Sequence, residues 1–101
     1  MTVIYKEPGK DPHRLFIPNS LKTLQTLVGG YIEAHRFTKD TVLLCNEDGR
    51  RLGLEPNCYG TSGGDFFVGP VIICGVDEEE FTDIPTDKIE VIMKMLRHGR
   101  E

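Results

Sequence analysis

The sequence predicts an α+β fold, with a mostly antiparallel sheet of five to six strands and two amphipathic helices on one face. Three observations predict it: short apolar runs separated by turn residues, two segments with apolar residues at helical spacing, and the order β-β-α-β-β-(β)-β-α. Residues 1–101 suffice for a single α+β domain with its own core. The opening hairpin, helix and strand follow the order of β-grasp folds, which is an analogy of element order alone.

The first half of the chain predicts two pairs of strands. Residues 2–7 and 14–17 form a hairpin, because residues 8–12 between them, with two prolines and a glycine, are typical of a turn. Two further strands follow at residues 31–36 and 41–46, where apolar residues recur at strand spacing.

Two helices are predicted from apolar stripes and from residues that cap their ends. Asn19 or Ser20 caps the first helix, and Gly29 closes it in a left-handed conformation. Its apolar face consists of Leu21, Leu24, Leu27 and Val28. The second helix begins at Pro85 or Thr86, and Gly99 ends it after Arg97. Its apolar face consists of Ile89, Ile92, Met93 and Leu96.

The region between the fourth strand and the last helix combines turn residues with short apolar runs. Asp48-Gly49 predicts a tight hairpin turn with positive φ, and residues 50–54 are expected to return as a short strand. Residues 55–64 predict a long irregular loop with three glycines. Three later segments are a brief apolar strand, the most buried strand and an acidic link, at residues 65–68, 71–76 and 77–82.

The charge distribution limits the function. The net charge is −4, and seven of the sixteen acidic residues lie between Asp77 and Glu90. This balance argues against direct binding of nucleic acid, because phosphate groups would be repelled. The candidate acidic patch comprises Asp77, Glu78, Glu79, Glu80 and Asp83. It is interpreted either as a solvated surface or as a patch that docks a basic partner or imitates nucleic acid.

No residue pattern indicates catalysis, a metal site or a cofactor. Cys45, Cys58 and Cys74 are 13 and 16 residues apart, and the three histidines show no ligand spacing. Cys45 and Cys74 are expected in the core, whereas Cys58 is expected as an exposed thiol. The glycine-rich run at residues 60–64 lacks the lysine of a P-loop.

The best candidates for an interaction surface lie around the loop that begins near residue 50. Arginine and aromatic side chains there can grip a partner, although arginines at a sheet edge also serve simply to prevent aggregation. These candidates are Arg50, Arg51, Asn57, Tyr59, Phe66 and Phe67.

Several segments together resemble a known family. These are Leu27-Val28-Gly29-Gly30-Tyr31-Ile32-Glu33, Cys45-Asn46-Glu47-Asp48-Gly49, Gly53-Leu54-Glu55-Pro56-Asn57, Gly64-Asp65, Val68-Gly69-Pro70 and the tail from Gly75-Val76-Asp77 to Asp83. From Thr2 to about Lys94 the chain is similar to small proteins grouped as domain of unknown function 3846. The resemblance implies an origin in phages, plasmids or other bacterial mobile elements, and it implies no catalytic residue. The loop from Cys58 to Ser62 departs from the arginine-rich loop expected of such proteins.

Three hypotheses follow. The first is a non-enzymatic accessory protein that binds a protein partner or another copy of itself through residues 50–67. The second is an acidic nucleic-acid mimic of the antirestriction type. The third is a small hydrolase or nucleotide-binding enzyme, which would require His35, Cys58 or Asp65 to converge in a pocket. No apolar run approaches the roughly 18 residues of a membrane span. The N-terminal residues do not resemble a secretory signal, so a cytoplasmic location is expected.

Overall fold

A computed structural model describes residues 1–61 and 65–98 of the chain. In chain order the elements are β1 (Thr2–Lys6), β2 (His13–Phe16), α1 (Leu21–Val28), β3 (Ile32–Thr38), β4 (Thr41–Asn46), β5 (Pro56–Tyr59), β6 (Phe66–Val68), β7 (Val71–Asp77), β8 (Glu80–Thr82) and α2 (Thr86–His98). Six strands form an antiparallel sheet in the order β2-β1-β7-β4-β3, with β8 also paired to β7, and β5 pairs with β6 in a second sheet. The predicted α+β class is confirmed. Within the described ranges, no helix is long and apolar enough to cross a membrane.

The ends of helix α1 follow the sequence prediction. Ser20, rather than Asn19, is the cap residue, and its side chain accepts the N–H of Thr23. Gly29 has φ 81°, and its N–H donates to the Gln25 carbonyl. Both ends of the helix are therefore capped, which matters for a helix of only 8 residues.

The two helices lie on opposite faces of the main sheet, so the prediction of one shared face is wrong. Leu44 of β4 and Ile72 of β7 pack in the core layer that contains residues of α1. Leu43 and Ile73, one residue along in each strand, pack in the layer that contains residues of α2. The reason is that both central strands are apolar on both faces, and each face needs a cover.

The segment after β4 also differs from the prediction, because residues 50–54 form turns and no strand. The N–H of Leu52 donates to the Asp48 carbonyl, and the N–H of Leu54 donates to the Gly49 carbonyl. The left-handed residue is Gly53, with φ 71°. Gly49 is needed for space instead, since a Cβ there would lie 2.8 Å from Cγ2 of Val68. The chain thus coils before it re-enters a strand at β5.

Two segments predicted as irregular contain strands. Part of the expected 55–64 loop is β5, and the expected acidic link is a hairpin in which Asp77 pairs with Glu80. Glu78 and Glu79 make its two-residue turn with φ 48° and 70°. Glutamate rarely adopts these values, which is why the sequence carried no turn signal there. The glycines expected at 63 and 64 and the helix stop expected at Gly99 lie outside the described residues.

Candidate functional site

A cleft lies beside the edge strand β3, where the small sheet of β5 and β6 packs against β4. Its volume is about 310 Å³. The ionisable groups that line it include three carboxylates, one guanidinium and one imidazole, from Glu33, Glu47, Asp65, Arg50 and His35. Because carboxylates outnumber the guanidinium, the cleft attracts cations and repels phosphate groups.

The pairing of β3 with β4 determines which side chains meet on the floor of the cleft. Glu33 lies opposite Cys45 in the antiparallel register, and His35 follows Glu33 on the same strand face. Nε2 of His35 and Oε2 of Glu33 are 2.7 Å apart. The imidazole also lies 5.0 Å, between ring centroids, from Phe67 of β6. A carboxylate, an imidazole and a thiol therefore share one patch of sheet surface.

Cys45 is a protonated thiol at neutral pH. Burial, the largest cause, raises its pKa to about 11; the Glu33 carboxylate and the Cys58 thiol act in the same direction, and Arg50 partly offsets them. The residue is buried in the α2 core layer, yet it lines the cleft. Its sulfur is therefore poorly nucleophilic by itself, because the thiolate is the reactive form.

Two of the predicted interaction residues, Arg50 and Phe66, line the cleft, and Tyr59 packs on Phe66. We call these three residues the aromatic rim. Cζ of Arg50 lies 4.5 Å from the centre of the Phe66 ring. Nη2 of Arg50 donates to the Phe66 carbonyl at 2.6 Å. The Tyr59 ring meets Phe66 edge-on at 6.2 Å, and Tyr59 is 57% exposed. The rim is thus held together by contacts among its own members.

Arg51 and Phe67 lie near the aromatic rim but contact other groups. Nη2 of Arg51 is 3.3 Å from Oδ2 of Asp48, and both side chains are largely exposed. Such a surface ion pair adds little stability. Phe67 is half-buried and packs against the α2 core layer. Neither belongs to the aromatic rim.

Asn57 is buried, and its contacts attach the small sheet to β1. Its Nδ2 donates to the carbonyls of Lys6 and Gly69, at 2.8 and 2.7 Å. Its Oδ1 and its carbonyl both accept hydrogen bonds from the buried Nζ of Lys6, at 2.7 and 3.2 Å. Asn57 therefore positions the hairpin that carries the rim, and it does not face solvent.

The prediction that Cys58 is an exposed thiol is wrong. The residue is 3% exposed and belongs to the α2 core layer. Burial raises the pKa of Cys58 to about 11, with Lys6 acting in the opposite direction. His35 and Asp65 do line the cleft, but Cys58 is not among its lining residues in the described part of the chain. Of the three residues that the enzyme hypothesis named, His35 and Asp65 therefore share the cleft, and Cys58 lies in the core beside it.

The candidate acidic patch is a hairpin tip away from the cleft. Its five carboxylates come from the end of β7, the turn, the start of β8 and the residue after it. All five residues are exposed. One of them has a structural contact, because Oδ1 of Asp83 accepts the backbone N–H of Thr2 at 2.6 Å.

The floor group of Glu33, His35 and Cys45 was not predicted from the sequence as a set. His35 and Cys45 are ten positions apart in the sequence, so no short motif contains them. Two features of the sequence pointed toward this group. Side chains alternate between the two faces of β3, which puts Glu33 and His35 on one face, and a short turn connects β3 to β4. That connection places Glu33 opposite Cys45 once the register is known.

Comparison with known families agrees with the resemblance of the segments. The model of the domain of unknown function DUF3846 matches residues 1–97. The chain belongs to the DUF3846 family. No curated protein and no solved structure matched the chain significantly. Membership of DUF3846 carries no assigned activity, so the function of this DUF3846 protein has to be argued from its own residues.

Proposed function

We propose that this DUF3846 protein is a non-enzymatic accessory protein of a phage or other mobile element, and that it binds a protein partner through the aromatic rim. The observation that supports this most is the exposed arrangement of Arg50 over Phe66 with Tyr59 beside it. Arginine and tyrosine are enriched among the residues that dominate binding energy at protein interfaces. Free thiols at all three cysteines suit a reducing compartment such as the cytoplasm.

The rim is organised before a partner arrives. Arg50 is held by the Phe66 ring and carbonyl, and Asn57 fixes the hairpin from below. A side chain that is already ordered loses less conformational entropy on binding, so more of the contact energy appears as affinity. This arrangement supports a binding surface more strongly than scattered exposed aromatics would.

The charges of the cleft indicate the chemistry of the partner. Glu33, Glu47 and Asp65 line the space directly behind the rim, against a single arginine. A lysine or arginine of the partner would be attracted there, while its apolar neighbours pack on Tyr59 and Phe66. We therefore propose a partner segment that presents a basic side chain next to apolar ones.

The test compares two matched double variants. Arg50→Ala with Tyr59→Ala removes two rim residues, while Arg36→Ala with Tyr31→Ala removes the same residue types at positions that belong neither to the rim nor to the cleft lining. We expect a protein captured from host cells by wild type and the control pair to be lost with the rim pair. The purified partner should then bind the rim pair at least tenfold more weakly, since hot-spot truncations cost about 2 kcal/mol or more. Equal binding by both pairs would overturn the proposal.

A second copy of the chain is the other partner for the same surface. Sedimentation of the purified protein distinguishes the two cases. If the rim joins two copies, wild type and the control pair will dimerise and the rim pair will remain monomeric. A monomer in all three samples favours a different protein as the partner.

The exposed acidic hairpin supports a second candidate function, a nucleic-acid mimic that binds a DNA-handling enzyme. Its turn projects Glu78 and Glu79 between Asp77 and Glu80. Binding through this hairpin should weaken steeply with salt. It should also be lost when Glu78, Glu79 and Glu80 are all changed to glutamine. Partner binding that survives this triple change would remove the mimic hypothesis.

A further inference from the structure

We propose that Glu33, His35 and Cys45 form a binding site for a zinc ion at the floor of the cleft. The donor atoms of the three side chains all lie within 4.8 Å of one another. The site does not depend on the proposed function, because it lies below the aromatic rim and concerns the isolated chain.

The distances require only small movements of side chains. Zinc bonds to oxygen, nitrogen and sulfur of about 2.0–2.3 Å in a tetrahedron place donor atoms about 3.3–3.8 Å apart. The His35 and Glu33 atoms, now 2.7 Å apart, would separate slightly to admit the ion. The separation between the Cys45 sulfur and the other two donors would need to shorten by about 1 Å at most. Glu33 and His35 are partly exposed and free to make this adjustment.

The three donor types select the metal. A thiolate and an imidazole are soft or borderline ligands, which favour zinc over magnesium or calcium. Asp65 lines the same cleft but does not belong to this group of donors, so the fourth position is left open. The excess of carboxylates around the cleft lowers the cost of bringing a divalent cation to the thiol.

The backbone is rigid where the ligands attach. Glu33 and Cys45 are direct cross-strand partners, so the sheet holds their Cα atoms in register. Cys45 lies in β4, every residue of which is buried, and Phe67 packs against the His35 ring. A site supported in this way loses little entropy when it binds an ion.

The alternative is that Glu33 and His35 form a surface pair beside an inert core thiol. The two readings differ in a measurable way. In the alternative, Cys45 never bonds to a metal, and any zinc that binds does so at exposed carboxylates.

The experiment uses the full chain, reduced and stripped of metal with a chelator. Zinc chloride is titrated by calorimetry, and cobalt chloride is titrated by absorbance, because a thiolate–cobalt bond has a characteristic near-ultraviolet band. We expect one ion per chain, a cobalt band and a higher melting temperature with zinc. Loss of a residue that only supports a metal ligand lowers metal affinity roughly 10–100-fold. His35→Gln and Cys45→Ser each remove a ligand itself, so each should lower the affinity for zinc at least tenfold.

The matched control is Cys74→Ser. Cys74 is also a buried strand thiol, but it lies in the α1 core layer on the other face. This variant should keep the cobalt band, and Cys45→Ser should lose it. If Cys45→Ser fails to fold, zinc binding by His35→Gln becomes the test of the site. The His35 side chain is 41% exposed, so its replacement disturbs little packing. Absence of binding by folded wild type, or binding unchanged by His35→Gln, would overturn the proposal.

Discussion

At the scale of single residues, Asn57 shows how a candidate for binding becomes a structural residue. It makes hydrogen bonds to two carbonyls and accepts two from the buried ammonium of Lys6. The sequence placed it among arginines and aromatics, which is a surface context. Its burial depends on the contact between β1 and the small sheet, which are 51 residues apart in the chain. No local pattern encodes such a contact.

Asn57→Ala should therefore destabilise the protein strongly. It removes partners from a buried charged group and from two buried carbonyls, so we expect a loss of about 2–4 kcal/mol in the free energy of unfolding. Asn19→Ala is the control, because Asn19 also donates to a carbonyl, that of Phe81, but in an exposed position. It should cost less than about 1 kcal/mol. Similar losses in urea denaturation would contradict the structural role of Asn57.

The buried thiols predict how stability changes at alkaline pH. Burial raises the pKa of Cys58 from 9.0 to about 11 and that of Cys74 from 9.0 to about 12. The folded chain therefore holds these protons more tightly than the unfolded chain. The resulting stabilisation is complete below about pH 9 and is lost as the pH rises through the folded-state values.

Urea denaturation of the metal-free protein at a series of pH values measures this effect. The free energy of unfolding should fall between about pH 9 and pH 11. Cys74→Ala, although less stable at every pH, should show a shallower fall. A slope identical to that of wild type would mean that Cys74 does not contribute.

At the scale of elements, local chemistry determined some boundaries and long-range contacts determined others. The cap of α1 at Ser20 and its closure at Gly29 were predictable, because side chain and backbone act within four residues. The turn after β4 was not predictable. A glycine is required at position 49 because a larger side chain there would collide with Val68 of β6. The Asp-Gly pair is a strong hairpin signal that the packing of the small sheet overrides.

The turn between β7 and β8 tests whether backbone strain is present. Glu78 and Glu79 both have positive φ, which costs roughly 1–2 kcal/mol for a residue with a side chain other than asparagine or glycine. Glu78→Asn with Glu79→Gly should therefore raise the free energy of unfolding by about 1–2 kcal/mol. Glu78→Gln with Glu79→Gln removes the same charges and keeps the strain. Equal stabilisation by both pairs would attribute the gain to charge alone.

At the scale of the whole molecule, the sheet is a central layer between two helices. Residues 71–76 are apolar on both faces in the sequence, yet both helices were predicted on one face. The fully buried β4 was the second sign that both faces are covered. The class of the fold followed from periodicity, whereas the side on which each helix packs depends on connections that periodicity does not describe.

Neighbouring leucines of β4 test this arrangement directly. Leu43 and Leu44 are both 0% exposed, and they point to opposite core layers. Each change to alanine should cost about 2–5 kcal/mol, because each opens a cavity. If both helices shared one face, one of the two changes would be nearly neutral. Thermal unfolding of the two variants measures the difference.

The proposed site also belongs to this scale, because it joins distant parts of the chain. The aromatic rim was predictable in part, since Arg50, Tyr59 and Phe66 were all candidates. The floor group was not, because its members lie on two strands whose register is a tertiary property. The cleft brings rim and floor together, and we infer that it is where this protein meets its partner.

Amide chemical-shift mapping of the labelled chain, titrated with the purified partner, tests that inference most directly. We predict that the largest shifts occur at Arg50, Tyr59 and Phe66 and at the cleft residues of β3. Shifts confined to the acidic hairpin from Asp77 to Asp83, with the rim unchanged, would contradict it.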